Sequence, residues 1–282
     1  MEFALQLPAS DGTALRAGSG RLDFVQVRGR TVIRSMAAAS PLQFLNPKNH
    51  GHAAWVFTSS HGGGMVGGDR VRLKINVGAG ASALISTQAS SKVFRSELTC
   101  RQELDANVED GGMLAIIPDP LVCFAGSHFS QRQALWLDAA ANLVMLDWLG
   151  SGRQAAGERW AFRQYSNRID IFRGGDRVLR EAVLLDPAHG ELAGRMGRFN
   201  SLALVIVSGP QLAPHAAAIA SQVEALPLAK RADVIQSVSP LRDSGVVLRV
   251  AGETVERVGE ALRQHLSFLK QLLGDDPWTG KW

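Results

Sequence analysis

Val77-Gly-Ala-Gly-Ala-Ser-Ala-Leu-Ile85, Val108-Glu-Asp-Gly-Gly-Met-Leu-Ala-Ile116 and Leu137-Asp-Ala-Ala-Ala-Asn-Leu-Val-Met145 are three versions of one phrase. Each is an apolar residue, a short turn of small or polar residues, then an apolar pair two positions apart. The phrase returns with a period of about 30 residues. A unit of that size cannot bury its own apolar face, and stacking on its neighbours solves the problem. The phrase therefore points to stacked hairpin-like units, either a β-solenoid or a β-sandwich.

Outward from the repeat, strand patterns follow one another from about residue 13 to 208. Val71, Leu73, Ile75 and Val77 alternate with Arg72, Lys74 and Asn76, the period of a half-buried strand. Leu22–Val27 and Val32–Ser35 read as a hairpin around Arg28-Gly29-Arg30, and Pro41–His52 as a loop. Ala54–Ser59, Ala83–Thr87, Leu114–Ile117, Gln133–Leu137 and Leu143–Trp148 continue the series. Arg159–Gln164, Ile169–Arg173, Val178–Leu185 and Leu202–Val207 extend it. The last third changes period. Gln211–Leu226 reads as an Ala-rich helix, Ser244–Ala251 as a further strand, and Thr254–Leu273 as a second helix. In that helix Val255, Val258, Leu262, Leu266, Leu269 and Leu273 form one stripe. The expected fold is mainly β, a many-stranded, solenoid-like body with two C-terminal helices. We read residues 1–282 as a single domain, β-rich over about 13–208 and helix-containing over about 209–282.

Composition narrows the function classes. The chain has 282 residues, a formal net charge of +4, 46% hydrophobic and 20% charged residues, as in ordinary globular proteins. Its basic residues form no dense run and do not alternate with aromatics, so nucleic acid is not expected. Nor does any stretch of 18 apolar residues occur, so no membrane span is expected. Met1 to Ser10 lack a basic, then apolar, leader pattern. Two cysteines, Cys100 and Cys123, make neither a disulfide framework nor a metal-binding pair, and a cytosolic setting is the expectation.

Chemistry concentrates in three places. Gly62-Gly-Gly-Met-Val-Gly-Gly-Asp-Arg70 delivers one carboxylate, Asp69, to the mouth of a strand. Gly62, Gly64 and Gly67 match the dinucleotide fingerprint, but a strand follows where that fingerprint needs a helix. Gly63, Gly64, Gly67 and Gly68 instead mark a functional surface loop or a mobile connection, and Asp69 either lines a site or caps its own turn. Asp147-Trp-Leu-Gly-Ser-Gly-Arg153 with Gly157-Glu158 places acid, glycines, arginine and acid within twelve residues. It reads as a turn held by an Arg–carboxylate pair or as a polar channel mouth. His50 and His52, two apart, would share one side of a strand and could touch one metal, with His61 nearby. No complete catalytic set is recognisable.

Several blocks, taken in order, resemble the UreD (UreH) family of urease accessory proteins. They are Gly63-Gly-Met-Val-Gly-Gly-Asp-Arg70, Ser86-Thr-Gln-Ala-Ser-Ser-Lys-Val-Phe-Arg95, Ile117-Pro-Asp-Pro-Leu-Val-Cys-Phe124, and Asp147 to Arg153 with Gly157-Glu158-Arg-Trp160. Leu184-Leu-Asp186, Gly245-Val-Val-Leu-Arg249 and the final helix also fit, so the likeness covers roughly residues 15 to 278. It implies a non-enzymatic chaperone that loads nickel into apo-urease. The implied partners are a UreF-type accessory protein, a UreG-type GTPase held through it, and the urease structural subunits. The resemblance also implies a β-rich, helix-poor fold with a polar tunnel for nickel. A conduit needs weak, exchangeable oxygen ligands. Asp69, Asp147 and Glu158 are then the expected path acids, ahead of Cys100 and Cys123, with His50, His52 and His61 weaker candidates and Arg153 part of the functional loops. The alternatives are a β-rich hydrolase using Asp69 or Asp147, and a docking scaffold without metal.

Overall fold

The computed structural model describes residues 15–278 apart from residues 228, 243 and 244. Through its middle the chain alternates between two sheets. β5 (Arg70–Val77), β8 (Cys100–Val108), β11 (His128–Leu137) and β13 (Gln164–Arg173) lie parallel in sheet one. β4 (Ala54–Ser60), β6 (Ser82–Thr87), β9 (Met113–Ile117) and β12 (Asn142–Gly150) lie parallel in sheet two. Each pass through both sheets is one coil, and the three repeat phrases are its corners. Val77 pairs with Val108 and Val108 with Leu137; Ile85 pairs with Ile116 and Ile116 with Met145. The corners also bond to one another: Glu109 Oε2 accepts from Ala79 N at 2.9 Å, and Asp110 Oδ1 from Ala140 N at 2.7 Å. The solenoid-like stacking read from the sequence thus holds residue on residue.

Antiparallel strands close both ends. At the first end, β1 (Ser19–Val27) still lies parallel to β5, β2 (Arg30–Ala38) closes sheet one antiparallel to β1, and β3 (Leu42–Leu45) borders β4 antiparallel. At the other, β14 (Asp176–Leu185) borders β13, while β15 (Ser201–Ser208), β17 (Gly245–Gly252) and β16 (Val234–Leu241) continue sheet two beyond β12. Two short strands, β7 (Lys92–Val93) and β10 (Leu121–Cys123), pair with each other, and β10 with β12. The helices are α1 (Leu192–Met196), α2 (Ala213–Glu224), α3 (Val255–His265) and α4 (Leu269–Leu273).

Burial explains the two strand patterns. Leu22, Ile75, Ala106, Leu135 and Ile171 of sheet one face Val56, Ala83, Leu114 and Leu143 of sheet two. The back of sheet two is covered in turn: Ile219, Val258, Leu262, Leu266, Leu269 and Leu273 pack on Trp55, Leu84, Val144 and Leu146. Strands buried on both faces read as continuous apolar runs, hence Met113–Ile117 without a polar residue. The described residues cover sheet one on one face only, hence the alternation of β5. A third cluster, with Met65, Cys100, Cys123, Phe129, Trp160, Phe162 and Tyr165, fills one edge between the sheets.

Four sequence expectations need correction. Arg159–Gln164 is not a strand. The Arg159 guanidinium donates to the Ala193 and Phe199 carbonyls at 3.3 Å, and the Trp160 indole to Phe199 O at 2.9 Å, drawing the segment out of the sheet. Trp160 adopts φ 53° there, and β13 begins at Gln164. The long C-terminal helix breaks after His265, where Ser267 Oγ donates to Gln264 O at 2.9 Å and competes with the helical ladder. Leu269 and Leu273 nevertheless keep the stripe buried, and Gly274 ends α4 in the left-handed conformation. The Pro41–His52 loop contains β3. His50 and His52 lie in a bend rather than on a strand, so the shared-face argument does not apply. Ser244, the first residue of the strand expected to end at Ala251, lies outside the described residues, as do residues 13 and 14.

Candidate functional site

The Asp69 loop is fixed by its backbone. Val66 N donates to Asp69 Oδ2 at 2.9 Å, and Asp69 N donates to Val66 O at 3.1 Å. The two residues between, Gly67 and Gly68, have φ of 60° and 81°, which L side chains avoid. Gly64 is required for another reason: a Cβ there would lie 2.6 Å from Lys92 O and 2.6 Å from the Phe94 ring. The loop is therefore a built turn pressed against β7, and Asp69 caps it. Asp69 Oδ1 has no hydrogen-bond partner among the described residues. The Cys100 thiol lies against the backbone of Gly68 and Asp69, and burial raises its pKa.

Glu158 is held. Arg153 grips both carboxylate oxygens, Nε to Oε2 at 3.0 Å and Nη2 to Oε1, while Ala125 N donates to Oε2 at 3.1 Å. The Arg153 guanidinium also lies 4.3 Å over the Phe124 ring. The Arg153 hydrogen bonds, chiefly, keep the Glu158 carboxyl below its usual range. This is the turn clamp that the sequence allowed.

Asp147 is placed differently. It sits on β12 in the row of Met145 and Leu149 that faces the other sheet, so its carboxylate enters the space between the sheets. From β13, Asn167 Nδ2 donates to its Oδ2 at 2.7 Å and the Tyr165 hydroxyl at 3.4 Å. Oδ1 takes no hydrogen bond among the described residues. Burial pushes the Asp147 pKa up to about 6 against the opposing pull of those two donors. It also pushes the Tyr165 hydroxyl well up, and the Asp147 charge adds to that.

Asp147 lines a cavity of about 270 Å³ where β13 and β14 diverge from β15, β17 and β16. Leu149, Val183, Leu202 and Leu204 give it apolar walls. Glu181 of β14 and Arg249 of β17 also line it, joined at 2.6 Å. An acid kept between two sheets, with one oxygen unshared and a cavity beside it, costs stability. A perturbed acid beside a cavity is a candidate functional site.

The other candidates do not join it. Asp69 opens β5, and Asp147 faces β13; β8 and β11 intervene, roughly 14 Å at the usual strand spacing. His50 and His52 lie exposed before β4, and His61 exposed after it, so roughly 20 Å of strand separates them. The His61 ring contacts Gln43 Nε2 at 3.2 Å. Cys100 and Cys123 are fully buried, and burial pushes the Cys123 thiol up to about 12. Among the described residues no three His, Cys, Asp or Glu side chains form a metal cage. Nor is any described helix long and apolar enough to cross a membrane. Sequence reasoning missed Tyr165, Asn167 and Glu181 and gave Arg249 no role. The one available signal was Asn167 interrupting the inward row Tyr165, Ile169, Ile171.

The sequence profile described as UreD urease accessory protein matches residues 16–280 of this chain. The chain belongs to the UreD family. It is 54% identical over 267 residues to a urease accessory protein UreD of Sorangium cellulosum, covering 95% of this chain and 85% of that one. A UreD of Anaeromyxobacter is 44% identical, with 94% and 90% covered. Urease accessory protein D of Oryza sativa subsp. japonica is 31% identical, with 99% of each chain covered. The Asp147 cavity lies within the residues that the UreD profile matches.

Proposed function

We propose that this chain is a nickel-insertion chaperone for urease, acting in the cytoplasm with a UreF-type accessory protein and, through it, a UreG-type GTPase. Membership of a family named for urease accessory proteins supports the urease part. The nickel part rests on one observation: a carboxylate is kept between the sheets, held on one oxygen and open on the other. In this reading Asp147 is the central oxygen ligand of the path and Nδ2 of Asn167 keeps it aimed at the cavity. Nickel is cargo, so its ligands must let go. A single carboxylate oxygen binds a dication weakly enough to release it, whereas buried thiols of raised pKa would first have to ionise.

Glu181 is the next acid along the cavity, and Arg249 balances its charge until a cation arrives. Asp69, with Oδ1 unshared, is a second candidate at the other end of the sheet. Glu158 is a clamp that holds the Arg153 turn in place. Deleting the gene from a urease-positive host tests the assignment. Urease protein should persist, nickel-poor and inactive; normal nickel content in urease from that strain would defeat it.

A further inference from the structure

Among the described residues nothing covers the outer face of sheet one, because α2, α3 and α4 all pack on sheet two. Strand register places like charges side by side across it. Arg70 stands beside Arg101, Arg21 beside Lys74, and Arg132 beside Arg168. Directly opposed like charges destabilise a sheet. The acids on this face are already engaged: Asp23 by Arg21 at 3.0 Å, Glu103 by Arg72 at 3.2 Å, Asp105 by Arg132 at 3.0 Å, and Asp170 by Arg168 and Arg180 at 2.6 and 2.7 Å. Arg70, Lys74 and Arg101 are exposed and have no carboxylate partner among the described residues. On the same face, one row beyond Lys74 and level with Asn76 and Asn107, Trp136 is stacked on Phe172 with ring centroids 5.7 Å apart and planes within 8°. Trp136 remains 39% exposed.

We infer that this face docks an acidic protein surface, with Trp136 as its apolar anchor and Arg70, Lys74 and Arg101 as its charge contacts. The seven strands of sheet one make an area of roughly 750–950 Å², close to the half-share of an ordinary protein interface. Aromatic residues beside arginines are the usual anchors of such interfaces. Glu103 and Asp105 on β8 and Asp170 on β13 lie interleaved with the cations, and a continuous phosphate backbone crossing the face would meet them; an acidic protein can place its carboxylates between them. The inference stands apart from the cation path, since none of its residues lines the Asp147 cavity.

The test uses the purified full chain and three probes: the UreF-type protein, the assembled urease apoprotein, and a 20-base-pair DNA duplex. The parent is compared with the double variant Lys74→Glu/Arg101→Glu and with Trp136→Ala. One protein probe should bind the parent, weaken by about tenfold between 50 and 300 mM salt, and weaken by a further tenfold or more with the double variant. Trp136→Ala should lose about tenfold or more against the same probe. Should Trp136→Ala not fold, the charge-reversed variant, altered only at exposed positions, decides alone. Unchanged affinity of both protein probes for the variants overturns the inference. So does loss of DNA binding alone. Nickel content of urease matured with Asp147→Asn does not bear on this outcome, so the two readings fail separately.

Discussion

Asp147→Asn should make this protein more stable while impairing what it does. In the folded chain burial raises the Asp147 pKa from 3.8 to about 6. Asp147 is half-buried by its exposed surface, so two units at about 1.4 kcal/mol each make about 3 kcal/mol an upper bound on the ionisation cost. The sign follows from which state holds the proton. Between about pH 4 and pH 6 the folded state keeps it and the unfolded state has released it, so stability falls as pH rises. Above pH 6 the full cost is present; below pH 4 it is gone. An asparagine keeps the shape and can still accept from Asn167 and Tyr165, while its amide nitrogen takes the place of the unshared Oδ1. Losing solvation of that amide returns part of the gain. At pH 7.5 the variant should therefore be more stable by about 1–3 kcal/mol, or about 2–6 °C in melting temperature. At pH 4 the two proteins should agree to within about 0.5 kcal/mol. Urea unfolding at both pH values, read as midpoint shifts at constant slope, measures this directly. A variant less stable than the parent at pH 7.5, or an equal difference at both pH values, would refute the reasoning.

Three further outcomes follow from the geometry. Gly64→Ala should cost about 1–3 kcal/mol in urea unfolding, because its Cβ would meet Lys92 O and the Phe94 ring at 2.6 Å. Asp69→Asn should leave stability within about 0.5 kcal/mol, since Asn accepts the Val66 N–H equally well, whereas Asp69→Ala should lose about 1 kcal/mol with the cap; on the path reading Asp69→Asn also lowers urease activation at matched soluble levels. Burial holds the His265 imidazole below its usual 6.5, between Gln222 and Gln236. The neutral ring is favoured in the fold, so its contribution is present above pH 6.5 and fades as pH falls below it. The melting-temperature gap between parent and His265→Leu should therefore narrow from pH 7.5 to pH 5.5, and a constant gap would contradict this.

The coil was legible because its corners repeat. Stacking in register forces Val77, Val108 and Leu137 into equivalent positions, and equivalent positions select similar residues. β8 escaped notice because Arg101, Glu103 and Asp105 face solvent while its inward row is as modest as Leu104, Ala106 and Val108. β16 escaped because an edge strand tolerates polar residues and Pro240. The Arg159–Gln164 segment has a strand's composition, and only the carbonyls of residues 193–199, distant in sequence, pull it away.

Of the site, Asp147 and the two glycine-containing loops could be read from their local patterns. The cavity could not. Asp147, Asn167, Glu181 and Arg249 come from four strands in two sheets, and no spacing within one strand records which strands diverge at the end of a coil. The histidine pair shows the opposite error. A two-residue spacing carries meaning only on an extended chain, and His50 to His52 is a bend whose Gly51 packs against the end of α4.

The central claim is that Asp147 carries nickel toward urease, and the most direct measurement is nickel per urease active site. A deletion host supplied with the parent chain should yield nickel-replete urease. The same host supplied with Asp147→Asn, at matched soluble level and matched capture of the UreF-type partner, should yield urease with clearly less nickel and correspondingly less activity. Equal nickel content from the two chains would contradict the account and leave this protein a docking scaffold with a costly half-buried acid.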